Sequence, residues 1–240
     1  MNDPVCIVFG GSGAVGREVC RTLIGRGARV GLTYRTNEAA AKSLEGIARM
    51  LDVTEVDAID RVLDDFAAHF GRIDAFVNCA AVAGTPPKGA ATVHHLMGDV
   101  DTEAWDRMLA INTRASFFAV RRLAKLMTGG GNIVLLGSID GVKAAPSPVH
   151  YAASKGALAG MVKAMAKELG AQSIKVNSVA PGVLEGGLSR VLPDDLRAEY
   201  LKHCGLKRVG RLEEVAGLVA WLATENTFVT GQTVVLDGAL

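Results

Sequence analysis

Val5-Cys-Ile-Val-Phe-Gly-Gly-Ser-Gly-Ala-Val-Gly16 is the stretch from which the rest of the chain can be read. Its opening apolar run has the length and composition of a buried strand. Directly after it, Gly11, Gly13 and Gly16 stand in G-x-G-x-x-G spacing. Val15, Val19 and Leu23 then recur at four-residue spacing, which predicts an amphipathic helix over 14–25 that Gly25 and Gly27 can end. Strand, glycine turn and helix in this order suit a pyrophosphate. Glycines let the backbone turn tightly and approach a ligand, and a helix N-terminus offers N–H groups and positive potential. Gly10, Ser12, Gly13, Ala14 and Val15 are the turn residues expected to hold a dinucleotide. A plain flexible turn is the competing reading.

Outward from this unit, short apolar runs alternate with longer stretches of helical period. The runs cover 5–9, 29–33, 74–78, 133–136, 174–179 and 233–236, and the helical stretches 14–25, 38–47, 55–69, 102–127, 151–169 and 212–223. Ile133–Leu136 and Thr233–Leu236 show little polar alternation, as parallel strands covered on both faces do. The rhythm predicts an α/β fold, a single Rossmann-type doubly wound parallel sheet of about seven strands with helices on both faces. No repeat, low-complexity tract or linker interrupts it, so residues 1–240 read as a single dinucleotide-binding and catalytic domain. Two stretches break the rhythm. One is 80–100, which contains Gly84-Thr-Pro-Pro-Lys-Gly89; the other, 183–208, follows Pro181-Gly182 and reads as a mobile, partly helical substrate flap. Both follow a strand, and loops at the carboxyl ends of strands border the ligand crevice in such sheets.

The chain of 240 residues is 49% hydrophobic, 21% charged and 5% aromatic, with a formal net charge of +1. This balance gives no electrostatic footprint for nucleic acid and no stacking platform for single strands. No apolar stretch reaches the ~18 residues of a membrane span, so no membrane partner is expected. The N-terminus enters its apolar run without a basic segment or a cleavable leader. Cys6, Cys20, Cys79 and Cys204 are far apart and read as free thiols in a reducing compartment. A cytoplasmic protein is the expectation. His94-His95 and the other histidines lack metal-ligand spacing.

Chemistry concentrates at Tyr151-Ala-Ala-Ser-Lys155, with Ser138 thirteen residues upstream. Residues at i and i+4 share a helix face. An ammonium there favours the phenolate and draws the phenol towards working pH. Such a phenol can exchange a proton with a carbonyl or alcohol oxygen while hydride moves at the adjacent carbon. The end of the second strand selects between cofactors. Thr33-Tyr34-Arg35-Thr36-Asn37 has no carboxylate to bind a ribose 2′-hydroxyl, whereas Arg35 can grip a 2′-phosphate. NADP(H) is therefore favoured, and NAD(H) stays open.

These segments resemble the classical short-chain dehydrogenases/reductases over essentially the whole chain, and within them most closely the 3-oxoacyl-carrier-protein reductases. The resemblance lies in the Gly10–Gly16 turn, Leu51-Asp52-Val53, Val77–Ala81, Ile111-Asn112, Ile133–Ser138, Tyr151-xxx-Lys155, Val176–Gly182 and Thr230-Gly-Gln with Asp237-Gly238. It implies a tetrad of Asn112, Ser138, Tyr151 and Lys155. Tyr151 would be general acid in reduction, and Lys155 would lower its pKa and hold the nicotinamide ribose. Ser138 would bond the substrate oxygen, and Asn112 would position a water relaying protons to Lys155. Asp52 and Val53 would meet the adenine, Asn78 and Ala80 the ribose region, and Pro181, Gly182 and Val183 the nicotinamide. The chain also departs from the family pattern. Gly13 stands where many NADP-dependent members have a basic residue, Cys79 and Ala81 alter the usual Asn-Asn-Ala-Gly segment, and Gly186 replaces a common Thr. Gly129 and Gln172 lie near positions where carrier-protein-using members carry Arg, with Arg121, Arg122 and Lys125 as compensation or as a solvated face.

The implied function is NADP-dependent reduction of a 3-oxoacyl thioester, linked to acyl carrier protein or CoA, or of a similar β-ketone. The alternatives are an NAD(P)-dependent dehydrogenase of a secondary alcohol, sugar or steroid, and a non-catalytic nucleotide sensor on the same fold. Ala152, Gly156 and Gly160 form a small-residue ridge on helix 151–169. In the family that helix and the one at 103–127 form subunit interfaces, so a homotetramer or homodimer is expected.

Overall fold

Strand β1 (Val5–Phe9) is buried throughout, and its side chains divide between two cores. Val5, Ile7 and Phe9 enter one, Cys6 and Val8 the other. The same division recurs at β4 (Ala75–Asn78), where Phe76 faces the first core and Val77 the second, and at β5 (Gly131–Leu136), where Ile133 and Val134 do likewise. A period of two on a sheet covered on both faces produces this pattern.

The computed structural model describes residues 3–83 and 97–240. Among them, β1 and β4, β5 are joined by β2 (Arg29–Tyr34), β3 (Ile47–Met50), β6 (Ile174–Pro181) and β7 (Thr233–Leu236) in one seven-stranded sheet of order β3-β2-β1-β4-β5-β6-β7. All its pairings are parallel. Helices α3 (Val56–Phe70), α5 (Ala115–Leu126) and α6 (Val149–Leu169) cover the first face through side chains such as Phe66, Leu123 and Val162. On the other face α1 (Ala14–Gly25) and α8 (Leu212–Thr224) contribute Val19, Leu23, Val215 and Val219. This is the Rossmann-like doubly wound sheet expected from the β-α-β rhythm.

Two details differ from expectation, and a third segment is partly helical as read. The helix expected over 38–47 is the single turn α2 (Glu38–Lys42), and Ile47–Met50 pairs with β2 as the edge strand. Edge position leaves Met50 62% exposed, so this strand carries no buried apolar run. The stretch 102–127 is α4 (Thr102–Leu109), a π turn over Ala110–Arg114, and α5. Segment 183–208 holds a 3₁₀ turn at Gly187–Val191 and helix α7 (Asp194–His203). It docks through Tyr200, which is buried and donates to the Asp237 carbonyl at 2.7 Å. Gly84–Gly89 and His94-His95 lie outside the described residues. Among those described, no helix is long and apolar enough to cross a membrane.

Phe66 is fully buried, and its ring fills the space beside Gly31, where an added Cβ would stand 2.8 Å from ring carbons. Phe66→Ala removes this packing and leaves a cavity. The expected loss is about 3–5 kcal/mol of stability, read as a lower denaturant midpoint at unchanged slope.

Candidate active site

The strand order reverses its direction of growth between β1 and β4, which opens a crevice at the carboxyl ends of the strands. The glycine turn sits there. Gly10 has φ +72°, and a Cβ on it would stand 2.7 Å from the Ala80 nitrogen, while one on Gly16 would lie 2.2 Å from the Gly10 oxygen. Only glycine permits that approach. The Gly10 N–H donates to Thr33 Oγ1 at 3.1 Å, tying the turn to β2. Gly13 caps α1 without a side-chain bond, so the helix N-terminus is not occupied by its own chain and fits a pyrophosphate.

Arg35 follows β2 and is exposed; Asp52 and Val53 follow β3 on the same edge. Asp52 accepts from the Thr54 N–H at 2.9 Å and its hydroxyl at 2.7 Å. These bonds, with help from the Arg35 charge, hold its carboxyl below the ordinary value. Asn78 is buried, donating to Ser116 Oγ at 2.8 Å and accepting from the Ala80 N–H at 3.0 Å, which sets the turn against which Gly10 packs.

A cavity of about 600 Å³ runs from Gly13, Ala14 and Val15 to Ser138, Tyr151 and Lys155, and on to Pro181, Gly182 and Val183. The fold thus collects residues from across the chain around one space. Gly10, Ser12, Arg35, Asp52, Val53, Asn78, Ala80 and Asn112 stand outside its walls. Its far side is mostly apolar, with Pro146, Leu188, Leu192 and Leu196 beside Glu199, Tyr200 and His203 among the lining residues.

Tyr151 and Lys155 lie one turn apart on α6. The Lys155 side chain is 3% exposed, its Nζ donates to the Leu136 carbonyl at 2.8 Å, and it lies 5.9 Å from the Tyr151 ring centroid. Burial lowers its pKa to about 8, against the opposing influence of Cys79 and Asp140. Desolvation raises the Tyr151 phenol above its ordinary value, the Asp140 charge adds to the rise, and the neighbouring Ser138 hydroxyl opposes it. That direction is opposite to the one expected from the Tyr–Lys spacing. Here the ammonium serves the Leu136 carbonyl, and desolvation of the phenol prevails.

Ser138 opens the 3₁₀ turn Ile139–Gly141, and its hydroxyl donates to Asp140 Oδ2 at 2.5 Å. Gly141 presses onto α6, where an added Cβ would meet the Lys155 carbonyl carbon at 2.5 Å. Asn112 lies in the π turn. It accepts from the Val82 N–H and donates to the Val82 carbonyl, both at 2.9 Å, and donates to Ser154 Oγ at 3.0 Å. Its side chain therefore joins the β4 loop to α6 next to Lys155. Arg121 and Arg122 pair with Asp60 and Asp64 on α3, which favours the solvated-face reading of those cations. The sequence reading missed Asp140. Its signal was an acid two residues past Ser138, a residue that the resemblance groups with Tyr151.

A family model described as Enoyl-(Acyl carrier protein) reductase matches residues 11–240. The chain belongs to the short-chain dehydrogenase/reductase family. It is 32% identical to the 3-oxoacyl-[acyl-carrier-protein] reductase of Salmonella typhimurium over 98% of this chain and 96% of that protein. To a probable tetrahydroxynaphthalene reductase of Zymoseptoria tritici it is 33% identical over 100% of this chain and 95% of that one. Among solved structures, a blue fluorescent protein from a metagenomic library in complex with NADPH superposes with a TM-score of 0.88 at 28% identity, covering 99% of this chain and 98% of that one. This short-chain dehydrogenase/reductase is accordingly an NAD(P)-dependent oxidoreductase, and its uncapped α1 terminus and glycine cradle fit such a cofactor.

Lys155 is stabilised in its charged form less than a free lysine, so it opposes folding while charged. Its pKa falls from 10.5 to about 8 on folding. Between those values the unfolded chain holds the extra proton, and stability rises with pH. Lys155→Met is expected to abolish turnover yet match or exceed wild-type stability near neutral pH. The stability gap should close as pH rises from about 8 towards 10.5 in denaturant titrations.

Proposed function

We propose that this short-chain reductase uses NADP(H) to reduce a 3-oxoacyl thioester, carried by acyl carrier protein or CoA, or a similar β-ketone, to the 3-hydroxy product. The observation that carries the reading is a single cavity walled by the α1 turn at one end and by Ser138, Tyr151 and Lys155 beside it. Desolvation keeps Tyr151 protonated, which suits a proton donor. When bound, the nicotinamide supplies the hydride that becomes the new C–H bond. Tyr151 gives its O–H proton to the carbonyl oxygen, and the resulting phenolate faces the Lys155 charge. Lys155, poised at about 8, can return a proton near neutral pH. Ser138 orients the substrate oxygen, and Asn112 holds α6 against the β4 loop.

The largely apolar far wall suits an acyl chain, and two of the relatives named above are by their names a 3-oxoacyl-[acyl-carrier-protein] reductase and a probable tetrahydroxynaphthalene reductase. Arg35, exposed beside Asp52 at the end of β2, supports NADP(H) through a charge-assisted bond to a 2′-phosphate. Phe117 is 47% exposed on α5 and the space over Gly160 on α6 is open, which supports assembly through these helices into a homodimer or homotetramer. Gly156 instead packs towards Gly141, so only part of the ridge faces outward. A cytoplasmic location is part of the same reading.

Tyr151→Phe is expected to lower ketone-dependent NADPH oxidation by at least about 10²-fold with the fold intact. Retention of most activity overturns the reading. Arg35→Ala is expected to cut the kcat/KM preference for NADPH over NADH by about 10-fold or more. An unchanged ratio removes Arg35 from cofactor selection.

A further inference from the structure

Asp140 brings a carboxylate to the wall of the proposed carbonyl-reducing centre. Its side chain lines the cavity beside Ser138 and Tyr151, opposite walls that are largely apolar. Two cations near it are engaged elsewhere. Lys143 donates to Asp237 and to the Leu240 carbonyl, and Lys155 donates to the Leu136 carbonyl. Among the described residues Ser138 Oγ, and no cation, bonds the Asp140 carboxylate.

A serine hydroxyl has one proton to give. Here it goes to Asp140 Oδ2, at 2.5 Å. A plain ketone entering this site would set its oxygen against lone pairs on Ser138 and a nearby anion, with Tyr151 as the remaining donor. Reduction places further negative charge on that oxygen, and an anion close by opposes it. A substrate that itself donates a hydrogen bond to Asp140 reverses both effects. It satisfies the carboxylate and frees the Ser138 proton to turn towards the carbonyl oxygen.

We propose that Asp140 is a specificity-determining residue that selects carbonyl substrates carrying a hydroxyl or ammonium donor on the α or β carbon. The geometry sets that spacing. A carbonyl oxygen about 2.7 Å from Ser138 Oγ lies within roughly 5 Å of the carboxylate, a gap that a hydroxyl one or two carbons away can bridge. The inference rests on the carbonyl-reductase reading and narrows its 3-oxoacyl and β-ketone substrates to those that also carry a hydroxyl or ammonium one or two carbons from the ketone.

The test compares butanone with acetoin and 4-hydroxybutanone as substrates of the wild type, Asp140→Ala and Asp140→Asn, each first matched for thermal stability. Wild-type kcat/KM is expected to favour the hydroxyketones by about 10-fold or more, and both substitutions to lower that ratio by a similar factor while raising kcat/KM for butanone. Equal kcat/KM for the three ketones in the wild type, or a ratio that survives both substitutions, overturns the assignment. Binding of the same ketones to the NADPH complex, followed by cofactor fluorescence, reads the preference without turnover. A binding preference that depends on Asp140 in an enzyme that reduces none of the ketones upholds the Asp140 assignment and condemns the redox reading. Absence of that preference in binding overturns the Asp140 assignment alone.

Discussion

The contact of the Ile139–Gly141 turn with α6 holds the chemistry of this protein in register. Gly141 touches the backbone at Lys155 and Gly156 so closely that no side chain fits between them. Ser138 and Asp140 ride on that turn, while Tyr151 and Lys155 ride on the helix. Their relative positions are therefore set by backbone against backbone, a contact with little freedom to relax. The second fastening is Asn112. Its carboxamide satisfies both backbone groups of Val82 and reaches Ser154, whose hydroxyl donates to the Tyr151 carbonyl at 2.7 Å. A π turn at this point widens the helix and presents Asn112 inward, as such turns often do at functional sites.

The site is assembled against the preferences of its ionisable groups. A nearly buried lysine and a desolvated phenol are both driven towards their neutral forms. Packing elsewhere has to offset that cost, and the two fully covered sheet faces supply it through Phe9, Phe66, Phe76 and their neighbours. A neutral phenol and a lysine that titrates close to neutrality are also a donor and its reservoir. The same desolvation that weakens the fold prepares the proposed proton transfer.

How much was legible in the sequence depended on whether a feature was local. The first strand, its turn and α1 are coded by contiguous residues, and the structure has the helix over Ala14–Gly25 as read. Tyr151 and Lys155 share a helix face by spacing alone. Strand β3 was harder, because an edge strand with a polar Arg49 and an exposed Met50 lacks the continuous apolar run that marks a central one. The π turn left no trace in the periodicity of 102–127, since one extra residue per turn is within the scatter of an amphipathic pattern. The direction of the Tyr151 shift was also hidden. Spacing places Lys155 near the phenol, but only tertiary structure reveals that its proton is given to Leu136 and that the cavity walls desolvate the ring. Asp140 belongs to the same class, visible in the chain and meaningless until the turn is seen against α6.

On the proposed reading, selection of the two ligands is divided between the halves of the sheet. Arg35 and Asp52 stand past β2 and β3, while Asp140 and the apolar wall follow β5 and β6. The halves meet at the approach of Gly10 to Ala80, where neither set of side chains takes part. Groups with no shared partner contribute nearly independently to binding. Cofactor preference and substrate preference can therefore change separately on this scaffold without disturbing the Ser138, Tyr151 and Lys155 arrangement between them. That separation places the carboxylate of Asp140 on the substrate side, where the proposed selection acts on the carbonyl compound and leaves the grip on the dinucleotide alone.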